Sequence, residues 1–306
     1  MELENTINKE NINSYNYNEF SSFKRIGKGG YGTVYKSKWK NRELIVALKK
    51  LNVELIDKKT IRKELKNLQK VCTHPNIIKF YGVTRDPSKG SYNIILQFAN
   101  NGDLRTYLKE NFSNLEWIDK FRMAYEISNV HEKRMLIADF GLSKDETSKT
   151  SNSNIGGVAP YIDPKCFECS EYKRGKKSDI FSFGVILWEI SSGKPPFQSA
   201  NQEYYIQVQR CLGKREERIE GTPELYFQLY EKCWDGDPNK RPRLDDISEK
   251  LKDLWIGEAF ESILRTITLK IMFIKFINSI KVFKNHVYWN YSLNQHQSIE
   301  EFSKKS

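Results

Sequence analysis

The hydrophobic and polar positions of the first hundred residues predict a small β-sheet with a single helix. Residues 21–40 are typical of two strands joined by a glycine-rich loop, and residues 44–49 form an apolar strand that ends in a lysine. Residues 60–71 instead carry apolar side chains at helical spacing, and residues 92–98 return to an apolar strand.

The second half of the chain is predicted to be mainly helical. Residues 115–128 place several apolar and aromatic side chains on one helical stripe. Residues 177–190 predict a buried helix that ends at the Gly-Lys-Pro-Pro sequence after it. Between these helices, residues 143–153 are rich in Ser and Thr, a composition that is typical of an exposed loop.

Length and composition fit a globular protein. The chain has 306 residues, of which 39% are hydrophobic and 13% aromatic, enough for a buried core. Residues 1–19 are polar and rich in asparagine, and we expect a disordered tail there. They lack the basic and apolar regions of a secretion signal, and we find no uncharged apolar run long enough to span a membrane. We therefore expect a cytoplasmic protein.

Charge and cysteine content make nucleic-acid binding, a disulfide framework and metal or redox chemistry less favoured functions for this chain. The formal net charge of +11 is spread along the chain, which favours an ordinary solvated surface over a nucleic-acid site. The five cysteines are odd in number, which favours a reducing compartment over a disulfide framework. Cys166 and Cys169 form a lone C-x-x-C without histidines at zinc spacing, which favours packing over metal or redox chemistry.

The glycine-rich loop is the first candidate binding element. Residues 27–34 fit the pattern G-x-G-x-x-G-x-V. Backbone N–H groups can approach phosphate oxygens only where no Cβ intervenes, which explains the glycines. Dinucleotide-binding folds share this pattern, but they place a helix directly after the last glycine. Residues 33–36 are instead typical of a strand, which favours a phosphate-binding loop between two strands.

Lys49 is a candidate for a contact with phosphate near that loop. A lysine at the end of a strand often faces water, but the glycine loop before Lys49 favours a contact with phosphate. Glu64 lies in the predicted helix at 60–71, and its spacing alone is also that of a surface glutamate.

Several ordered motifs carry a resemblance to the protein kinases of the tyrosine-kinase-like branch. These are the glycine loop, the strand ending in Lys49, the H-P-N sequence at 74–76, Asp139-Phe140-Gly141 and the D-P-N-K-R-P sequence at 237–242. The resemblance implies an α+β, two-lobed fold. Its small antiparallel β lobe with one helix would cover about 20–98, and a larger, mainly helical, incomplete lobe would cover about 99–255.

The resemblance also implies an activity and a set of contacts. The family transfers the γ-phosphoryl group of ATP to Ser or Thr, or to Tyr, and uses ATP and Mg²⁺. Lys49 would contact phosphate and pair with Glu64, and Asp139 would bind the metal ion. The other residues implied to contact nucleotide are Gly27, Lys28, Gly29, Gly30, Gly32, Val34, Ala47, Leu96, Gln97, Phe98 and Ala99.

One motif of the family is missing. Kinases carry H-R-D-x-x-x-x-N upstream of D-F-G, with the catalytic Asp about 18 residues before the metal-binding Asp. Counting back from Asp139 arrives at Phe121 inside a predicted helix, and His131 is followed by Glu-Lys. A single deletion near 128–131 accounts for this, with residues 130–137 as the hairpin before D-F-G. If His131 ended the helix, two deletions would be needed.

The deletion sets the functional expectations. No residue is identifiable as the catalytic base, so we expect an inactive chain with weakened binding of ATP and Mg²⁺. Asp179 supports the catalytic loop in the family and should be buried without partners here. Lys165 replaces the glutamate that usually pairs with a distant arginine. A kinase-family enzyme, a pseudokinase that binds or scaffolds signalling partners, and an incomplete product of an active kinase gene all remain open.

The resemblance stops before the last fifty residues. Residues 256–306 form a C-terminal tail of unknown role, and residues 260–284 within it are apolar with interspersed lysines. Because these lysines do not share one helical face, contact with a membrane is not favoured, and an additional packed helix is an equal alternative. A wrongly translated sequence is a third interpretation of the tail. The sequence assigns no protein substrate, partner or oligomeric state.

Overall fold

The computed structural model describes residues 2–29, 32–51, 58–73, 77–128, 158–169, 171–198 and 203–272. The chain divides into two compact units, Met1–Leu254 and Trp255–Ser306.

The small lobe is built on a six-stranded sheet with strand order β1-β5-β6-β4-β3-β2. Neighbouring strands are antiparallel except β1 and β5, which pair in parallel. The elements of this lobe are α1 (Glu2–Lys9), β1 (Ser14–Tyr15), β2 (Phe20–Gly29), β3 (Gly32–Trp39), β4 (Leu44–Leu51), α2 (Lys58–Val71), β5 (Phe80–Arg85) and β6 (Tyr92–Gln97). The expected strands and the helix α2 are therefore present.

Strand β4 lies inside the sheet and is covered on both faces. Ala47 and Leu51 belong to the same buried cluster as the apolar side chains of α2. Val46 and Leu48 belong to a second cluster, which centres on Trp39. A strand that is buried on both faces needs a continuous apolar run rather than an alternating one, which explains the apolar residues 46–48. Leu44 and Ile45, at the start of β4, are exposed.

The N-terminal residues differ from the expectation of a disordered tail over residues 1–19. Helix α1 and strand β1 lie there, and Ile7 and Ile12 are only 5% and 7% exposed. Asn16 and Glu19 form a reciprocal cap on the short turn that leads into β2. Two buried isoleucines anchor this short segment. Sequence analysis did not identify them because they are isolated in an asparagine-rich, polar composition.

The large lobe is helical, as expected, and is organised around one buried helix. Its helices are α3 (Leu104–Asn111), α4 (Trp117–Ser128), α5 (Lys165–Glu168), α6 (Lys176–Ser192), α7 (Glu203–Cys211) and α8 (Glu224–Cys233), and residues 244–254 are helical too. A Cβ on Gly184 of α6 would lie 2.7 Å from the side chain of Cys233 in α8. Glycine is therefore required for the close packing of these two helices. The two-lobed α+β fold is confirmed.

The second unit is described only over residues 255–272, which are helical. Many of its apolar side chains are exposed, among them Phe260, Ile263 and Leu269. The rest of the 260–284 segment lies outside the described residues. Within the part of the chain that the structure describes, no helix combines the length and the apolar character that spanning a membrane requires.

Candidate nucleotide site

Lys49 and Glu64 form a buried ion pair between the sheet and helix α2. Lys49 lies on β4 opposite Val34 of β3 and Ile94 of β6. Its Nζ donates a hydrogen bond of 2.7 Å to Oε1 of Glu64, and the two residues are 7% and 3% exposed. The expected pairing and the inward orientation of α2 are therefore present.

The register of α2 explains why Glu64 points inward. Ile61, Leu65 and Leu68 are almost fully buried and fix one face of the helix against the sheet. Glu64 lies at the edge of this apolar face, whereas Lys66 is on the exposed side. Since a buried carboxylate without a partner is costly, Lys49 and Glu64 hold each other in place.

The glycine loop forms a hairpin of β2 and β3. Gly27 is opposite Val34, Lys28 is opposite Thr33 and Gly29 is opposite Gly32. Gly30 lies outside the described residues.

The glycines of this hairpin serve different purposes. Gly32 has a φ of +139°, and a Cβ there would lie 2.1 Å from the carbonyl oxygen of Lys50, so the backbone itself requires glycine. A Cβ on Gly27 would meet nothing within 4 Å. The space beside Gly27 is therefore open, as a ligand that approaches the loop backbone requires.

The apolar candidates come together on one side of the sheet. Ala47 is directly opposite Leu96 across β4 and β6, and both are buried. Val34 and Phe98 are partly buried and pack against the same cluster. The ammonium group of Lys36 lies 4.5 Å from the centre of the Phe98 ring. Four of the predicted contact residues thus form a continuous apolar surface next to Lys49.

The end of β6 and the two residues after it, residues 97–99, provide polar backbone groups at the edge of this surface. The N–H of Gln97 donates to the carbonyl of Lys79 at 2.8 Å, and the Gln97 side chain accepts from the N–H of Lys79 at 3.4 Å. Among the described residues, the N–H of Ala99 donates no hydrogen bond, whereas the carbonyl of Ala99 begins the turn at residues 100–101.

Asp139, the predicted metal-binding residue, lies outside the described residues. So do the H-P-N sequence at 74–76, residues 130–137 and the hydroxyl-rich loop at 143–153. Within the described residues, no group of three or more His, Cys, Asp or Glu side chains is arranged to hold a metal ion.

A second buried ion pair lies in the large lobe, and sequence analysis missed one of its members. The guanidinium of Arg241 donates two hydrogen bonds to the carboxylate of Asp163, at 2.6 and 2.9 Å, and both side chains are fully buried. Lys165, which occupies the expected motif position, instead contacts Glu168 at 2.6 Å. The carboxylate that holds the arginine thus comes from two residues earlier in the chain.

Asp163 and Arg241 are also satisfied by other groups. The hydroxyl of Tyr172 donates to Asp163 at 2.9 Å, and Arg241 donates to the carbonyl oxygens of Asp235 and Lys177, both at 2.8 Å. Burial alone would raise the pKa of the Asp163 carboxyl, but the hydrogen bonds and charge of Arg241 outweigh burial and hold the pKa below 3.8. No signal in the sequence distinguishes this aspartate from a surface residue.

Asp179 differs from the expectation that it would be buried without partners. Its side chain is exposed, and its carboxylate accepts no hydrogen bond from a described residue. Enough protein surrounds the carboxyl for burial to raise its pKa above 3.8, with Arg174 opposing the effect. The penalty for an unpaired buried charge is therefore largely avoided, because water reaches the carboxylate.

Comparison with known proteins covers both lobes. A model of the family "protein tyrosine and serine/threonine kinase" matches residues 20–132 and 129–251. The tyrosine-protein kinase transforming protein Abl of Abelson murine leukemia virus is 30% identical over 260 residues, covering 76% of this chain and 34% of that protein.

Two cellular proteins give similar matches. Mitogen-activated protein kinase kinase kinase 7 of Drosophila melanogaster is 29% identical, covering 76% of this chain and 37% of that protein. The probable serine/threonine-protein kinase drkD of Dictyostelium discoideum is 28% identical, covering 73% of this chain and 19% of that protein. The chain thus spans well under half the length of each of these relatives.

Proposed function

The chain belongs to the protein kinase family, and we propose that in this form it binds nucleotide weakly and does not transfer phosphate. Transfer of the ATP γ-phosphoryl group to Ser, Thr or Tyr is the reaction of the family. The preserved small lobe supports nucleotide binding, through the Lys49–Glu64 pair and the apolar surface that ends at Ala99. The missing catalytic segment supports inactivity.

The observation that carries the proposal is the absence of a candidate base in the sequence. No aspartate occurs between Asp119, in helix α4, and Asp139 of D-F-G. The two segments matched by the family model meet and overlap at residues 129–132, where the deletion is expected. Both observations favour the loss of one continuous block that contained the catalytic aspartate and the asparagine that binds metal.

The lengths of the pairwise matches support the same deletion. The match to the Abelson virus protein spans 260 aligned positions, whereas 76% of the 306 residues of this chain is about 233 residues. About 27 positions, the difference between 260 and 233, are therefore opposite gaps in this chain. The Drosophila match spans 258 positions for the same 76%, which leaves about 25 gaps. A catalytic loop with its flanking strands is of this size.

The residues present assign separate tasks at the site. Lys49 would place a positive charge against the phosphates. The backbone of Ala99 would hydrogen-bond the base, which would lie against the apolar surface next to Lys49. Bound ATP would supply the γ-phosphoryl group. The proton of an incoming hydroxyl would have no carboxylate to accept it, so transfer is not supported. Losing the apolar contacts of the missing segment costs about 1–3 kcal/mol, which lowers affinity about ten- to two-hundred-fold.

Nucleotide binding is tested by thermal-shift titration of the purified chain with Mg·ATP. We expect a small rise in melting temperature that saturates only towards millimolar concentration, about the affinity left after such a loss. Lys49→Met should abolish the rise, whereas Lys50→Met, at the neighbouring position on β4, should keep it. An equal response in both variants would place any binding elsewhere. A micromolar response would show that the adenine pocket is complete.

Inactivity is tested by incubating the same sample with radiolabelled ATP and a generic protein substrate. We expect no incorporation above a sample without protein, because the base and one metal ligand are missing together. Incorporation that disappears in Asp139→Ala would overturn the proposal. Nucleotide binding and phosphate transfer are measured in separate experiments, so a result that contradicts one prediction does not affect the test of the other.

An incomplete product of an active kinase gene is the second candidate, and the position of the deletion favours considering it. The break spares the motifs on both sides, as omission of one coding block would. Sequencing the transcript across codons 125–135 decides whether longer messages exist. A chimera that supplies the missing 25 or so positions from the Drosophila relative should gain transferase activity, and the same chimera with its catalytic Asp changed to Asn should not.

A further inference from the structure

The N-terminal residues cross the outer side of helix α2, which carries Glu64. We call residues 2–16 the N-terminal brace; they comprise α1, β1 and the segment that joins them. Ile7 and Ile12 of the brace belong to the same buried cluster as three side chains of α2, which are Ile61, Leu65 and Leu68. The brace therefore shares the core of the small lobe.

Polar contacts attach the brace to one stripe of α2. Arg62 Nε donates to Thr6 Oγ1 at 2.9 Å, and Gln69 Nε2 donates to the carbonyl of Glu10 at 2.7 Å. Lys66 Nζ lies 3.4 Å from the Glu10 carboxylate. At 100° per residue, these three positions of α2 lie about 140–200° around the helix from Glu64. The brace thus contacts α2 from the side opposite to the ion pair.

The far end of the brace is fixed to the sheet. Strand β1 pairs in parallel with β5, and the N–H of Val83 donates to the carbonyl of Asn13 at 2.8 Å. Gly82 has a φ of +143°, and a Cβ there would lie 2.2 Å from the Asn13 carbonyl oxygen. Strand β5 therefore lacks a side chain where the brace passes over it. The ring of Tyr15 then packs edge-on against Trp39 at 4.7 Å.

The near end of the brace is fixed as well. The carboxylate of Glu4 accepts hydrogen bonds from Arg85 at 2.9 Å and from the hydroxyl of Tyr92 at 3.0 Å. Arg85 ends β5 and Tyr92 begins β6, and the two residues are opposite each other. The brace is thus attached to the sheet at both ends and to α2 between these ends.

We propose that the N-terminal brace positions Glu64 by holding α2 against β4, so that Glu64 reaches Lys49. Thr6, Ile7 and Glu10 act through α2 and are positioning residues, since none of them contacts the ion pair. This role of the brace does not depend on the proposed function, because it can be tested on the chain without nucleotide.

The first test measures amide hydrogen exchange along the full chain. Ile7→Ala removes a buried side chain from the core cluster that α1 and α2 share, and we expect exchange of the α2 amides at 61–71 to rise at least about tenfold. Thr6→Val, a milder change of similar shape, should raise it about two- to threefold. Asn8→Ala, on the exposed side of α1, is the matched control and should leave it unchanged.

The second test reports on the ion pair itself. An acylating ester modifies accessible lysine amines, and mass spectrometry compares Lys49 with Lys50, its neighbour on β4. We expect acylation of Lys49 to rise severalfold in Ile7→Ala and Thr6→Val while acylation of Lys50 is unchanged, because only Lys49 depends on Glu64.

Two outcomes would overturn the proposal. If amide exchange rises in the brace but stays unchanged in α2, the helix keeps its position without the brace. An equal rise in α2 and in the buried helix α6 would show a general loss of stability instead of positioning. If Ile7→Ala does not fold, Thr6→Val and the lysine comparison decide the result.

Discussion

Two buried ion pairs among the described residues differ in their geometry. Arg241 donates two hydrogen bonds to Asp163 and others to backbone carbonyls, and neither side chain is exposed. Lys49 donates a hydrogen bond of 2.7 Å to one oxygen of Glu64, and the two side chains are 9% and 4% exposed. The first pair fixes a segment of the large lobe. The second lies in the small lobe, at the place where phosphate is expected.

This difference separates a structural from a functional use of the same chemistry. A bidentate pair whose guanidinium makes four of its five possible hydrogen bonds within the fold gains geometric specificity. An ammonium group is instead a compact point charge, of the kind that binds phosphate. Measuring what each pair contributes to stability and to binding therefore tests the distinction directly.

The largest effect is expected from Asp163→Asn. Removing the charge leaves the fully buried guanidinium of Arg241 uncompensated, and we expect the free energy of unfolding to fall by about 3–5 kcal/mol. Lys165→Ala is the matched control, since the ammonium group of Lys165 pairs with Glu168 and contacts neither Asp163 nor Arg241 among the described residues, and should change the free energy of unfolding by less than about 0.5 kcal/mol. Denaturant titration measures both. An effect of Lys165→Ala as large as that of Asp163→Asn would show that the loss does not come from the Asp163–Arg241 pair.

A smaller loss of stability is expected from Lys49→Met. Glu64 keeps some contact with solvent, so we expect a decrease of about 1–3 kcal/mol in the free energy of unfolding. Lys49→Met/Glu64→Gln should recover part of this loss, because no charge is then left unpaired. If Lys49→Met destabilises as much as Asp163→Asn, the distinction between the two pairs fails.

The stabilisation by Asp163 should also disappear in acid. Folding lowers the pKa of its carboxyl below 3.8, so its contribution is present above that value and is lost as pH falls through the folded pKa. The difference in unfolding free energy between the parent chain and Asp163→Asn should therefore shrink below about pH 4. A difference that stays constant down to about pH 2 would contradict the assignment.

The smallest effect concerns Asp179, whose carboxylate accepts no hydrogen bond from a described residue. Burial raises the pKa of its carboxyl above 3.8 in the folded protein. The folded state is therefore destabilised as pH rises through the folded pKa and the carboxyl ionises, and this cost is present at neutral pH. Asp179→Asn should raise the free energy of unfolding at pH 7 by no more than about 0.5 kcal/mol, because solvent screens the exposed group. Thermal melts at pH 7 measure this, and destabilisation would reveal a partner for the carboxylate.

Sequence analysis succeeded where a motif and its spacing determine the geometry. The register of α2 follows from the spacing of its apolar residues. The strand that carries Lys49, β4, follows from its continuous apolar run. Asp163 was missed because the arginine-binding carboxylate moved two residues away from the motif position. The brace was missed because Ile7 and Ile12 are isolated among polar residues. The exposure of Asp179 depends on what lies over it, which local pattern does not encode.

The parallel pairing of β1 with β5 has a consequence for the order of folding. Ser14 pairs with Val83, so this contact closes a loop of about 70 residues, and such long-range contacts slow folding. Ribosomes add about 5–20 residues per second, so the brace waits several seconds after it emerges before β5 is available. Its isoleucines remain uncovered during that interval. One of the earliest parts of this sequence to be synthesised is therefore among the last to reach its native contacts.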